Sequence, residues 1–133
     1  MTEKLELYKC NICGNITQIM IEGAGELYCC GEPMELLIPQ TENNNKELKE
    51  KHTPEIEFFE NKRFITLKKH PMEEEHYIQF IETYSNDKSK VLIKFLKPQE
   101  KAELDITYFD ENIKSLEYCN IHGLWGNKEN QLN

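Results

Sequence analysis

Tyr77-Ile78-Gln79-Phe80-Ile81-Glu82-Thr83-Tyr84, followed after the turn-forming Ser85-Asn86-Asp87 by Val91-Leu92-Ile93-Lys94-Phe95-Leu96, decides the fold class. Both runs are rich in β-branched and aromatic residues, and each is about the length of one strand. On the amino-terminal side, Ile56 and Phe58, then Phe64, Ile65 and Leu67, alternate with charged residues. On the carboxy-terminal side, Ala102 to Phe109 puts Leu104, Ile106 and Tyr108 on one face, and Tyr118 opens a last short run. Several short strands separated by turn signals such as Lys97-Pro98 predict an all-β sandwich. No long helical period and no internal repeat interrupt the pattern.

Residues 1–38 read as a separate, smaller module. Tyr8-Lys9-Cys10-Asn11-Ile12-Cys13-Gly14 is a metal knuckle, Gly23-Ala24-Gly25 a turn, Leu27-Tyr28-Cys29-Cys30-Gly31 a second ligand stretch, and Met34 to Ile38 a short apolar strand. About forty residues bury too little apolar surface to fold unaided, so a metal or an oligomer contact is expected. Residues 39–50 are polar and Asn-rich and read as a linker or loose loop. The sandwich then spans residues 51–133, with a polar tail from Gly126 expected to fray.

The chain has 133 residues and a net charge of −8, and its mean hydropathy is −0.70. An acidic chain without a basic run is a poor partner for nucleic acid or anionic membranes. No apolar stretch reaches the ~20 residues of a membrane span, and Met1 to Leu7 carry no apolar signal core. These features read as a soluble, cytoplasmic protein. The five cysteines are an odd number, and in a reducing compartment clustered cysteines more often bind metal than pair as disulfides.

Cys10-x-x-Cys13 with Cys29 and Cys30 supplies four thiolates, a tetrahedral set that suits iron or zinc. A zinc ribbon or two disulfides are the bland readings. Adjacent cysteines are unusual, because neighbouring side chains must be bent toward one ion. Cys119 and all four histidines then remain: His52, His70, His76 and His122. Cys119-Asn120-Ile121-His122 has a metal-type spacing, and His70 and His76 bracket the turn Pro71-Met72-Glu73-Glu74-Glu75. Four imidazoles and a thiolate exceed zinc's four ligands and leave one octahedral position open, which favours iron; a Cys-His₃ zinc site is the alternative if one histidine does not ligate.

The segments Glu50-Lys51-His52-x-Pro54, His70-Pro71-Met72-Glu73-Glu74-Glu75-His76-Tyr77-Ile78 and Cys119-Asn120-x-His122-Gly123-Leu124-Trp125 resemble the desulfoferrodoxin family of superoxide reductases. The Cys10-x-x-Cys13…Cys29-Cys30 pattern resembles that family's desulforedoxin-like (rubredoxin-like) domain. The likeness covers nearly the whole chain, in the family's order, and departs at Phe80, where the pattern has Trp. It implies two mononuclear irons and no haem or flavin. One iron has His52, His70, His76 and His122 as equatorial ligands and Cys119 as the axial one; the other is a distorted FeS₄ site. It also implies an immunoglobulin-like sandwich, a homodimer, and one-electron reduction of superoxide to hydrogen peroxide. The electrons would come from a donor such as rubredoxin or another small redox protein. Lys51 would attract the superoxide anion, and Glu50 would occupy the sixth position of the oxidised metal; the bland reading of both is a solvated linker charge. Glu73 to Glu75 read as a solvated turn, and Met72, Tyr77, Tyr118 and Trp125 as packing residues. A non-enzymatic electron-transfer protein and a zinc-stabilised binding module are the competing readings.

Overall fold

The structure is a computed structural model that describes residues 1–127, as two compact units, Met1–Ile38 and Pro39–Asn133. In the first, β1 (Leu7–Lys9) lies between β2 (Ile16–Gln18) and β5 (Glu35–Leu37), antiparallel to both. A second, two-stranded hairpin joins β3 (Tyr28–Cys29) to β4 (Glu32–Pro33) through Cys30 and Gly31, with φ of 55° and 78°. Two successive positive φ values belong to a type I′ turn, whose twist matches that of the flanking strands. Glycine adopts this conformation freely, whereas Cys30 does so at a steric cost. The buried apolar side chains of this unit are Leu5, Leu7 and Cys10, a very small core.

The second unit begins with a short helix rather than a loose linker. Residues 46–52 form α1 (Lys46–His52). Asn45 caps it, its Oδ1 accepting from the Leu48 N–H at 3.1 Å. Glu47 stands in the first turn, while Lys49, Lys51 and His52 stand in the last, as the helix dipole favours. Thr53 closes the end by donating from both N–H and Oγ1 to the Lys49 carbonyl. Seven residues are marginal as a free helix, so these caps matter. They fix where His52, the last helical residue, points.

Among the described residues, seven strands follow in two antiparallel sheets, the arrangement of an immunoglobulin-like sandwich. One sheet has the order β10 (Glu103–Asp105), β7 (Lys62–Thr66), β6 (Glu55–Phe59). The other has the order β12 (Gly123–Gly126), β11 (Ile113–Cys119), β8 (Ile78–Ser85), β9 (Val91–Phe95). Ile65, Leu67, Ile78, Ile81, Leu96, Leu104, Ile106 and Ile113 fill the space between them, and Cys119 belongs to the same cluster.

Two local expectations change. Leu104 and Ile106 are buried, but Tyr108 is 100% exposed. Strand β10 ends at Asp105, whose carboxylate accepts from both the N–H and the hydroxyl of Thr107. That turn breaks the alternation before Tyr108 is reached. Gly126, placed at the start of a frayed tail, instead pairs with Leu116 at the end of β12, and Asn127 donates to the Pro54 carbonyl at 2.9 Å. The rest of that tail, residues 128–133, lies outside the described residues.

Gly126 generates a stability prediction. A Cβ there would lie 2.9 Å from Leu116 Cδ2, 3.2 Å from the Ser115 carbonyl oxygen and 3.3 Å from Pro39 Cβ. Backbone cannot yield as a side-chain tip can, so Gly126→Ala should cost about 1–3 kcal/mol and lower the melting temperature by several degrees in a thermal scan. An unchanged melting temperature would refute the close approach.

Candidate metal centres

The four cysteines of the first unit converge: their sulfur atoms all lie within 4.8 Å of one another. Cys10 follows β1 and is buried, Cys29 ends β3, and Cys30 sits in the type I′ turn. That turn answers the problem of adjacent ligands, because the positive φ of Cys30 rotates its side chain out of the strand's alternation. Cys13 Sγ is 3.6 Å from Cys29 Sγ, and Cys29 Sγ is 3.9 Å from Cys30 Sγ. Disulfide sulfurs would be about 2.05 Å apart. A tetrahedron with metal–sulfur bonds of about 2.3 Å has sulfur–sulfur edges of about 3.8 Å, so the spacing fits four thiolates around one ion. The electrostatics agree. The Cys13 and Ile12 N–H groups draw Cys10 down to about 6, while hydrogen bonding with Cys13, Cys10 and Cys29 pushes Cys30 up to about 12. Four thiols this close cannot all ionise without a cation between them.

In the second unit, donor atoms of His52, His70, His76 and Cys119 lie within 4.8 Å of one another. His122 completes the set, its Nδ1 lying 3.2 Å from His52 Nε2 and 3.9 Å from Cys119 Sγ. The four imidazoles close a cycle. Ring centroids are 4.5 Å apart for His52–His70, 4.8 Å for His70–His76, 5.1 Å for His76–His122 and 5.1 Å for His122–His52, each pair edge to face. The residues come from the end of α1, the loop between β7 and β8, the end of β11 and the turn into β12.

Neighbouring groups select which nitrogen faces inward. His52 Nδ1 is 2.7 Å from Glu117 Oε2, and His70 Nδ1 is 2.6 Å from the Pro71 carbonyl oxygen. Each is thereby committed as a donor, leaving Nε2 with its lone pair for a metal. The Nε2 atoms of His70 and His76 are buried with no hydrogen-bond partner among the described residues. Nitrogens buried without a partner are costly unless something else binds them. Burial pushes His52 down to about 3 and His70 down to about 4, with mutual repulsion and the Lys51 charge adding to both shifts, although the Pro71 carbonyl opposes the shift at His70. These two imidazoles therefore stay neutral at physiological pH and able to ligate. Cys119 is buried, which raises its thiol, while the N–H groups of His122 and Ile121 oppose the rise. Five donors with lone pairs aimed at one volume fit a mononuclear iron better than zinc, which takes four.

Several residues that hold this arrangement carry no ligand-like signal. Glu117 is fully buried and fixes His52. Trp125 stacks on His52 at 4.7 Å and 10° while its indole N–H donates to the His122 carbonyl at 3.0 Å. The Gln40 side-chain amide donates to that same carbonyl at 2.7 Å. Asn120 accepts from the Tyr77 N–H and donates to the Glu75 carbonyl, pinning the His76 loop beside Cys119. Met72 packs against the core, and its sulfur accepts from the Ile78 N–H. Lys51 pairs with Glu47 at 3.0 Å and acts electrostatically on the imidazoles. Glu50 pairs with Lys69 at 3.6 Å.

Glu117 offers a direct test. Replacing a buried carboxylate by an apolar side chain of similar volume is tolerated by many folds, so Glu117→Leu should fold. It should bind metal at the histidine site 10–100-fold more weakly, the range for lost partners of ligating histidines. Competition with a chelator would measure this, with the four-cysteine site as internal control. Unchanged affinity would show that Glu117 does not support His52.

Comparison with known proteins agrees with this geometry. Residues 2–37 match the family described as desulfoferrodoxin, N-terminal domain, and residues 44–128 match the family described as desulfoferrodoxin. A desulfoferrodoxin of Syntrophotalea carbinolica is 45% identical over 130 residues, covering 96% of this chain and 99% of its own. One from Nitratidesulfovibrio vulgaris is 41% identical over 127 residues, covering 94% and 97%. The fold is similar to the crystal structure of the superoxide reductase from Treponema pallidum, with a TM-score of 0.67 at 22% identity over 96% of this chain and all of that one. Two matched domains in the same order, with relatives aligned almost end to end, make this chain a member of the desulfoferrodoxin family.

Proposed function

We propose that the chain is a two-iron superoxide reductase, transferring one electron to superoxide, which takes up two protons and leaves as hydrogen peroxide. His52, His70, His76, His122 and Cys119 hold the catalytic iron; Cys10, Cys13, Cys29 and Cys30 hold an accessory one. The closed cycle of four imidazoles beside one cysteine sulfur carries this reading, because five protein donors would leave a six-coordinate ion one position for a small anion. Bound iron supplies the electron and that position.

The chain's own residues supply the rest. The N–H groups of Ile121 and His122 point at Cys119 Sγ and temper its negative charge. Glu117, Trp125, Gln40 and Asn120 keep the donors in place before any substrate arrives. Lys51 provides a cation near the imidazoles of a chain whose net charge is −8, offsetting its repulsion of an anion. Its partner Glu47 restrains the lysine and partly offsets it. Glu50, one residue before Lys51 and ion-paired with Lys69 at 3.6 Å, would shield the open position of the oxidised metal on turning toward the site.

The immediate electron donor is a small redox protein such as rubredoxin, and the setting is removal of superoxide in the cytoplasm. Among the described residues, no helix is long and apolar enough to cross a membrane. A homodimer is also proposed: the first unit has a very small core yet leaves Met20, Ile21, Tyr28 and Ile38 exposed, apolar surface that a second copy would cover.

Pulse-generated superoxide mixed with reduced, iron-loaded protein tests the central reading. Cys13→Ser should lose the thiolate-to-iron colour of the four-cysteine site yet keep most superoxide reduction under excess reductant, whereas Cys119→Ser should do the opposite. Loss of reaction in Cys13→Ser with the second iron still bound would overturn this division of labour.

Steering has a separate signature. Lys51→Ala should slow second-order encounter about tenfold at low salt. The wild-type rate should fall as ionic strength shortens the Debye length to ~10 Å near 0.1 M, and the variant's rate should fall less or rise. Lys51→Arg should recover much of the rate. Identical salt slopes in wild type and Lys51→Ala would remove Lys51 from the mechanism.

A further inference from the structure

His122 differs from His52 and His70 in the nitrogen it offers. Those two spend Nδ1 on the Glu117 carboxylate and the Pro71 carbonyl and are left with Nε2. His122 faces the other donors through Nδ1, 3.2 Å from His52 Nε2 and 3.9 Å from Cys119 Sγ. Nδ1 is bonded directly to Cγ, whereas Nε2 lies on the far side of the ring. Its place therefore follows the main chain closely, and ring rotation corrects little of a main-chain error. For this ligand the backbone is the effective handle.

That backbone has a freedom built in. His122 is followed by Gly123, whose φ is +81°. Glycine takes either sign of φ readily, so the peptide joining them could turn over, as the central peptide does between type I and type II turns. Two N–H donors hold its carbonyl: the Trp125 indole at 3.0 Å and the Gln40 side-chain amide at 2.7 Å. Gln40 lies 82 residues before His122 and reaches it because its own main chain is stitched to β12. Its N–H donates to the Leu124 carbonyl at 2.9 Å, and its carbonyl accepts from the Gly126 N–H at 3.0 Å. Gln40 is thereby the parallel partner of Trp125, which sets both side chains on one face.

We propose that Gln40 is a positioning residue of the histidine site. Its amide, acting with the Trp125 indole, keeps the His122–Gly123 peptide from turning over and so holds Nδ1 on the metal beside Cys119. This role rests on the reading of the site as an iron centre. It extends the site upstream into a polar, Asn-rich stretch that reads as a linker. Glutamine suits the task, because it donates without a charge and is one methylene longer than asparagine. The thiolate shares the effect. Cys119 pairs with Gly123 across β11 and β12, and the Ile121 N–H donates to Cys119 Sγ at 3.4 Å within the same turn. A peptide released at His122 would therefore disturb the sulfur donor as well as the imidazole.

Metal release and visible spectra of the full-length, iron-loaded protein test this without superoxide. Gln40→Met keeps the side-chain length and the backbone bonds but loses the donor. It should release the iron of the histidine site to a chelator about tenfold faster, the low end for lost supports of metal ligands, because Trp125 still holds the carbonyl. It should also shift the Cys119 thiolate-to-iron band, while the four-cysteine site keeps its colour and its release rate. Gln40→Asn, too short to reach the carbonyl, should do the same, and Asn44→Ala in the same stretch should change neither. Trp125→Phe removes the other donor. Combined with Gln40→Met, it should speed release by more than the product of the two single effects, since either donor alone still restrains the peptide. Wild-type release and an unmoved band in both Gln40→Met and Gln40→Asn would overturn the role. So would single effects that simply multiply, or equal acceleration at the four-cysteine site. Wild-type ferrous protein that leaves superoxide untouched would sink the reductase reading alone, and the release rates would still judge Gln40.

Discussion

The hydrogen bond between His52 and Glu117, 2.7 Å long and fully buried, is the contact on which the second unit turns. It joins the last residue of α1 to the central part of β11, 65 residues later. Burial alone would keep the imidazole and the carboxyl neutral, and a charge on either is tolerable only because the other is there. With a metal on Nε2, the Nδ1 proton has one direction in which to point. The helix caps, the Trp125 stack and the Gln40 amide then make sense as devices that leave His52 and His122 no second arrangement. Glu117 thus connects a short, marginal helix to a rigid sheet and turns a flexible segment into one wall of a metal site.

The two metal sites solve the same problem by different means. In the first unit the donors are four thiols whose mutual repulsion only a cation relieves, so the ion substitutes for the core that 38 residues cannot build. In the second unit the sandwich has its own core, and Cys119 is part of it. Here the fold exists first and imposes the donor geometry. The first site is therefore mainly structural in its energetics, whereas the second can spend fold stability on holding five donors close together with one coordination position to spare.

Much of this was legible in the residues. Cysteine and histidine have few roles in small acidic proteins, so their spacing spoke directly, and the aromatic, β-branched runs from Tyr77 to Leu96 gave the sandwich. The supports were silent. Glu117 stands in a strand-like run where alternation normally sends an acid to solvent, and nothing local shows that β11 is covered on both faces. Gln40 and Asn120 act through amides that any loop can carry. The helix at Lys46–His52 was masked by the Asn-rich stretch before it; only Asn45, with an acid in the first turn and bases in the last, marked it. Tyr108 continued a two-residue period that Asp105 had already ended by bonding to Thr107. In each case a tertiary contact or a local turn overrode the periodicity.

The chain separation of the donors differs sharply between the two sites. Cys13 and Cys29 are 16 residues apart, whereas His52 and His122 are 70 apart. Closing a short loop costs little entropy, and contacts distant in sequence form late. During synthesis from the amino terminus, the first site can capture its ion once residue 30 has emerged. The second waits until both sheets have paired and the turn after β11 is made. Metal supply in the cell thus meets this protein twice: early, as a condition for the first unit to fold at all, and late, as a choice among ions offered to a socket that is already built.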